Sequence, residues 1–146
     1  MQRLKEDVSY FLHQKIFVIL LALTAMGCYG FAITHESIGI DDTLVDVYLN
    51  DGIEVLMGRW TIYLINKFFY LGEFMPNITE LGGVLLLLSA VVLYCVLLRR
   101  IFGERIGIGG YTAFACVFIS QPILGGLYLY YYHSGMDVGY LALAAA

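Results

Sequence analysis

The chain has 146 residues, of which 60% are hydrophobic and only 14% charged, against about 45–50% and about 25% in ordinary soluble domains. That composition cannot build the polar shell of a soluble domain, and it largely excludes the soluble-enzyme, disordered and disulfide-rich classes. A net charge of −4 argues against a nucleic-acid binder.

Taken in chain order, the apolar runs set the plan. Ile16 to Thr34 is the first uncharged run, and Leu81 to Leu98 the second. Each is long enough to cross a hydrocarbon core of about 30 Å as a helix. The third uncharged run, Ile106 to Tyr132, is too long for one upright span. Pro122 and the Gly125-Gly126 pair are expected to break it near Gln121, because proline removes a backbone donor and glycine weakens a helix. A fourth apolar stretch begins near Met136 and runs to Ala146. The predicted spans are therefore about 16–34, 78–98, 106–122 and a fourth from about 136, with a loop over 35–77. The fold class expected is an all-α polytopic membrane protein. Because the last stretch is too short to span, residues 1–146 read as the N-terminal part of a single, longer multi-span domain. A cleaved signal peptide is the rival reading of the first run, but that run exceeds the usual ~7–15 apolar residues. Ala25-Met26-Gly27-Cys28 only faintly resembles a lipoprotein cleavage box.

Basic residues orient the spans. Arg3, Lys5, Lys15, Arg99, Arg100 and Arg105 fall on one side, and only Arg59 and Lys67 on the other. The N-terminus and the Arg99–Arg105 turn are expected to face the cytoplasm, in a multi-pass protein of the cytoplasmic (inner) membrane. On this reading the turn is a positive-inside anchor and has no further role. The stretch from His35 to Glu80 is expected outside, and it holds eight of the twelve acids.

That outside stretch has its own pattern. The Asp41-Asp42 pair can cap a helix over 43–49, and Asn50-Asp51-Gly52 reads as a turn. From Ile53 to Leu71 apolar residues recur at 3–4 spacing, with Arg59, Asn66 and Lys67 mostly off that face. This predicts an amphipathic helix in the outer interface, with Trp60 and Tyr63 at headgroup depth. Read from the residues alone, Asp41 and Asp42 are either a cap with a solvated acid or a catalytic pair. Arg59 either snorkels or binds phosphate, and Trp60 either anchors or presents a ring. His35 and His133 read as surface residues, and the tyrosines at 128 and 130–132 as an aromatic belt before a sugar platform. Asp137 opens an apolar segment and is expected to line a cavity. Gly135 and Gly139 have the spacing of a helix-packing motif.

Three stretches together carry a family likeness: "SIGIDDTLVD" from Ser37, "GRW" at 58–60 and "YYHSGMDVGYLALAAA" from Tyr131. In this order after an N-terminal span, they resemble the GtrII-type membrane glucosyltransferases of the polytopic GT-C group. The His-Ser-Gly stretch before Asp137 departs from the pattern, where a more basic residue is expected. The resemblance implies glucosyl transfer on the outer face, from a polyprenyl-phosphate-linked sugar to a cell-surface glycan such as O-antigen. It implies Asp41 and Asp42 as the catalytic acids, with Arg59 and Trp60 on the donor. No cofactor is called for, and a divalent metal is left open. The partners expected are the lipid bilayer, the lipid-linked sugar and the glycan acceptor. The alternative is a membrane scaffold or assembly subunit without chemistry, for which so long and acidic a loop is not needed. A transporter would want ionisable groups within the spans, and the first three uncharged runs have none.

Overall fold

The computed structural model describes residues 2–35, 56, 60, 64, 67, 76–125, 139 and 142–146. Four helices are defined among them: α1 (Gln2–His13), α2 (Lys15–Thr34), α3 (Pro76–Phe102) and α4 (Ile108–Ile119), with a 3-10 turn at Gly103–Arg105. No strand occurs among the described residues. Three stretches are long and apolar enough to cross a membrane: Lys15–Thr34, Glu80–Phe102 and Ile108–Gly125. The protein is an all-α, multi-pass membrane protein.

The long helices pack pairwise against one another, and α1 packs on α2 and α3. Each contributes one stripe to a shared core. On α2 the stripe is Phe17, Leu21, Ala25, Tyr29 and Ala32, and on α4 it is Tyr111, Thr112, Ala115 and Ile119. Val84, Leu87, Val91 and Cys95 supply it from α3. The remaining faces of α2 are also apolar but exposed, as at Ile16, Ile19, Leu23, Met26 and Phe31. A helix apolar all round with only one face packed on protein has its other faces against lipid. Ala25 and Ala115 are small residues of the shared core, of the kind that lets helix backbones approach closely.

Three contacts fix the helix directions. Phe11, at the end of α1, meets Phe17 and Tyr111 with ring centroids 5.3 and 5.5 Å away. Near the far end of α2, the Tyr29 hydroxyl donates to the Ile119 carbonyl at 2.7 Å. Asp7 reaches Arg99 and Arg100 at the C-terminal end of α3. Thus α2 and α4 run parallel, and α3 runs against both. One end of the bundle, the basic end, holds α1, the Arg99–Arg105 turn and the start of α4. The other, the loop end, holds Thr34, the start of α3 and Ser120.

The sequence explains where the helices stop. Gln14 is extended (φ −79°, ψ 94°) and separates α1 from α2. Gly103 ends α3 with φ +61°, a left-handed conformation open to glycine, and its carbonyl accepts from the Tyr111 hydroxyl at 3.0 Å. At α4, Pro122 cannot supply the next backbone donor, so the helix ends at Ser120. The exposed carbonyls of that last turn are then served by side chains. Ser120 Oγ and Gln121 Nε2 both donate to Val117 O, and Tyr29 donates to Ile119 O. In lipid such carbonyls have no water to turn to.

Candidate active site at the loop end

Two chain segments leave and return at the loop end, 36–75 between α2 and α3 and 126–138 after the helical turn at 122–125. The departure point at α2 is closed by hydrogen bonds. Thr34 Oγ1 donates to Gly30 O at 2.7 Å, and the His35 backbone N–H donates to Phe31 O at 2.9 Å. The His35 ring stacks on Phe31, with centroids 4.6 Å apart and planes 7° off parallel. His35 is exposed, as the sequence suggests.

The return point is Pro76, and here the structure corrects the sequence reading. Glu80 belongs to the described helix α3 instead of the acidic loop, and it is 3% exposed. Glu80, Val84, Leu87 and Val91 share one inward stripe at spacings of four, three and four. A carboxylate is costly to bury, and an ionisable group within a span is by default a functional candidate. The sequence holds its signal, since Glu80 lies in register with the apolar stripe of α3. Glu80 stands one residue ahead of the uncharged run Leu81–Leu98, at the start of the apolar part of α3.

One turn further on, Gly83 receives the fourth segment. A Cβ built on Gly139 would collide with the Gly83 carbonyl oxygen and crowd Leu86. The two backbones thus touch where neither residue has a side chain. Deeper in the bundle the Tyr94 hydroxyl donates to Ala142 O at 3.4 Å. Gly139 is buried, and Asp137 lies two positions before it in sequence.

Of the residues singled out from sequence, Asp41, Asp42, Arg59 and Asp137 lie outside the described residues. Trp60 is described: it is helical and 60% exposed. Leu56, Leu64 and Lys67 are also helical and exposed. Exposed leucines and a tryptophan suit an interface. Among the described residues no group of three or more His, Cys, Asp or Glu stands together as a metal site.

A sequence model of the family "Glucosyl transferase GtrII" matches residues 30–145. The chain belongs to the GtrII glucosyltransferase family. Family membership makes the activity glucosyl transfer, and the three apolar helices make the setting a membrane. The matched region begins in the last turns of α2, so α1 and its contacts with the basic end precede it. It takes in the whole loop end, including Glu80, Gly83 and Gly139. No curated protein and no solved structure matches the chain.

Proposed function

We propose that the protein transfers glucose from a polyprenyl-phosphate-linked donor to a cell-surface glycan such as O-antigen, at the outer face of the cytoplasmic membrane. The observation that carries this reading is the GtrII family match across 30–145. The direction of the bundle supports it. Arg3, Lys5, Lys15, Arg99, Arg100 and Arg105 all belong to the basic end, and an excess of Lys and Arg marks the cytoplasmic side. The loop end then faces outward, with the N-terminus inside.

A polyprenyl donor holds its phosphosugar at headgroup depth, so the reacting groups belong at a span end. In the proposed reaction an acceptor hydroxyl attacks the anomeric carbon. Its proton passes to the carboxylate of Asp41, with Asp42 as cap or orienting partner. The bond from the anomeric carbon to the phosphate oxygen breaks, and polyprenyl phosphate departs with the electron pair. General-base help of this kind is worth about 10²–10⁴-fold. Arg59 offers the departing phosphate a planar fork of donors, which a lysine cannot reproduce. Trp60 offers a ring face to sugar or lipid, and Asp137 lines the same pocket. The architecture proposed is that of the GT-C group.

The deciding experiment supplies the full-length protein, reconstituted in vesicles, with labelled polyprenyl-phosphoglucose and a lipid-linked glycan acceptor. Label is expected in the glycan, and label remaining wholly on the donor would end this reading.

A further inference from the structure

A polar cleft of about 430 Å³ opens at the basic end, lined by Arg3, Glu6, Asp7 and Arg100. It lies between α1 and α3, at the opposite end of the bundle from the candidate active site. Its charges are not equivalent. Asp7 is engaged by Arg100, Nη2 to Oδ2 at 2.9 Å and Nε to Oδ2 at 2.9 Å, and by Arg99 at 3.5 Å. The Arg99 guanidinium is also held over the Tyr10 ring, 3.6 Å from its centroid. Arg3 and Glu6 are exposed, and neither forms an ion pair among the described residues. The cleft therefore presents one uncommitted cation and one uncommitted anion beside the Asp7 ion pairs.

Arg3 and Glu6 are three apart on one helix, so their stems lie about 5–6 Å from each other. A phosphate and an ammonium joined by a two-carbon link span a similar distance. The apolar surroundings say which molecule carries that pair. Leu97, three positions before Arg100 and so on its face of α3, is 47% exposed. It carries the exposed apolar surface of the span toward the end of α3 at which the cleft opens. A ligand with a phosphate and amine above two alkyl chains fits both parts.

We propose that this cleft is a headgroup site for an aminophospholipid of the phosphatidylethanolamine type. The phosphate lies against Arg3 and the free edge of Arg100, the ammonium donates to the Glu6 carboxylate, and the acyl chains follow α3 past Leu97. A trimethylammonium group cannot donate such a hydrogen bond, so phosphatidylcholine is disfavoured. An anionic headgroup without an amine leaves Glu6 facing like charge, so phosphatidylglycerol is disfavoured too.

The test uses the full-length protein, purified in detergent and stripped of lipid. It is given equal amounts of phosphatidylethanolamine, phosphatidylcholine and phosphatidylglycerol with identical chains, and retention is read by native mass spectrometry. Phosphatidylethanolamine is expected to be retained about tenfold over phosphatidylcholine, the weight of one charge-assisted hydrogen bond. Glu6→Ala, which removes the acceptor, should abolish that preference and still bind phosphatidylcholine, whereas Arg3→Gln should weaken both. Unchanged circular dichroism and melting show that the exposed substitutions leave the bundle folded. Equal retention of the three lipids by the unaltered protein would overturn the proposal, as would an amine preference that survives Glu6→Ala. Phosphatidylglycerol retained most strongly would reduce the cleft to a general basic patch and overturn it as well. Displacement of the lipid by soluble glycerophosphoethanolamine at the same concentration would assign the site to a water-soluble ester and count against a lipid.

Discussion

Tyr29 and Ile119 are ninety positions apart in the chain and joined by a buried hydrogen bond of 2.7 Å, phenol to carbonyl. The bond satisfies a carbonyl that the Pro122 break removes from the helix ladder, and it fixes α2 against the end of α4. Tyr29→Phe keeps the ring and deletes the donor. Hydrogen bonds between membrane helices are worth about 0.6–1.7 kcal/mol. A loss of about 1 kcal/mol is expected, read as a lower melting temperature in detergent. No change would show that Ile119 O finds another donor.

Phe11 and Asp7 both hold α1 to the bundle, with unequal weight. Phe11 is fully buried among Phe17 and Tyr111. Asp7 and its arginines keep 25–47% of their side-chain surface exposed, so solvent screens them. Phe11→Ala should cost about 3 kcal/mol or more, and Asp7→Asn no more than about 1 kcal/mol. Hydrogen exchange of the α1 amides would rank the two, and a larger effect from Asp7→Asn would reverse that ranking.

The Gly139–Gly83 contact leaves no room for a methyl group. Gly139→Ala should cost about 1–3 kcal/mol by overpacking. Gly27→Ala is the control, because a Cβ there meets nothing within 4 Å and alanine favours the helix. Equal melting temperatures for the two variants would remove this crossing as a determinant of packing.

Orientation is testable with impermeant thiol reagents in a cysteine-free background. A cysteine at Gly107, exposed and with open space around its Cβ, should label only from the cytoplasmic side. A cysteine at Asp51 should label only from outside. The inverse pattern would reverse the proposed topology.

The proposed chemistry rests on Asp41, Asp42 and Arg59. Adjacent residues on a helix point about 100° apart, so the two acids cannot fill one role. Asp41→Asn should lower turnover by at least ~10²-fold, and Asp42→Asn by less. Arg59→Lys should chiefly raise the KM for the donor, because the bidentate fork is lost. Near-normal turnover in both Asp variants, at equal membrane abundance, would leave the pair a helix cap.

Long uncharged runs by themselves specify helices in a membrane, because apolar length alone meets the demand of a hydrocarbon core. The same local logic marks Pro122 as the end of α4. Motif order points to the GtrII family, and the family match agrees. The apolar runs do not reveal α1, although Val8 and Phe11 carry its inward spacing. Nor do they give Arg99 and Arg100 more than an anchoring role, since Asp7, which engages both, lies more than ninety positions away.

Which faces meet was decided by the tertiary structure. Helices such as α2 and α4 are apolar on every side, so no polar stripe in their sequences tells the packed face from the lipid face. The choice rests on fit between distant residues: Tyr29 to the carbonyl of Ile119, Gly139 to Gly83, Asp7 to Arg99 and Arg100. Glu80 illustrates the difference most sharply. Its sequence neighbours make it one acid among eight around a loop, and the packing of α3 makes it a buried carboxylate in the bundle. Local composition set where the chain enters the membrane. The rotation of each helix about its own axis, which long-range contacts fix, set what each side chain faces.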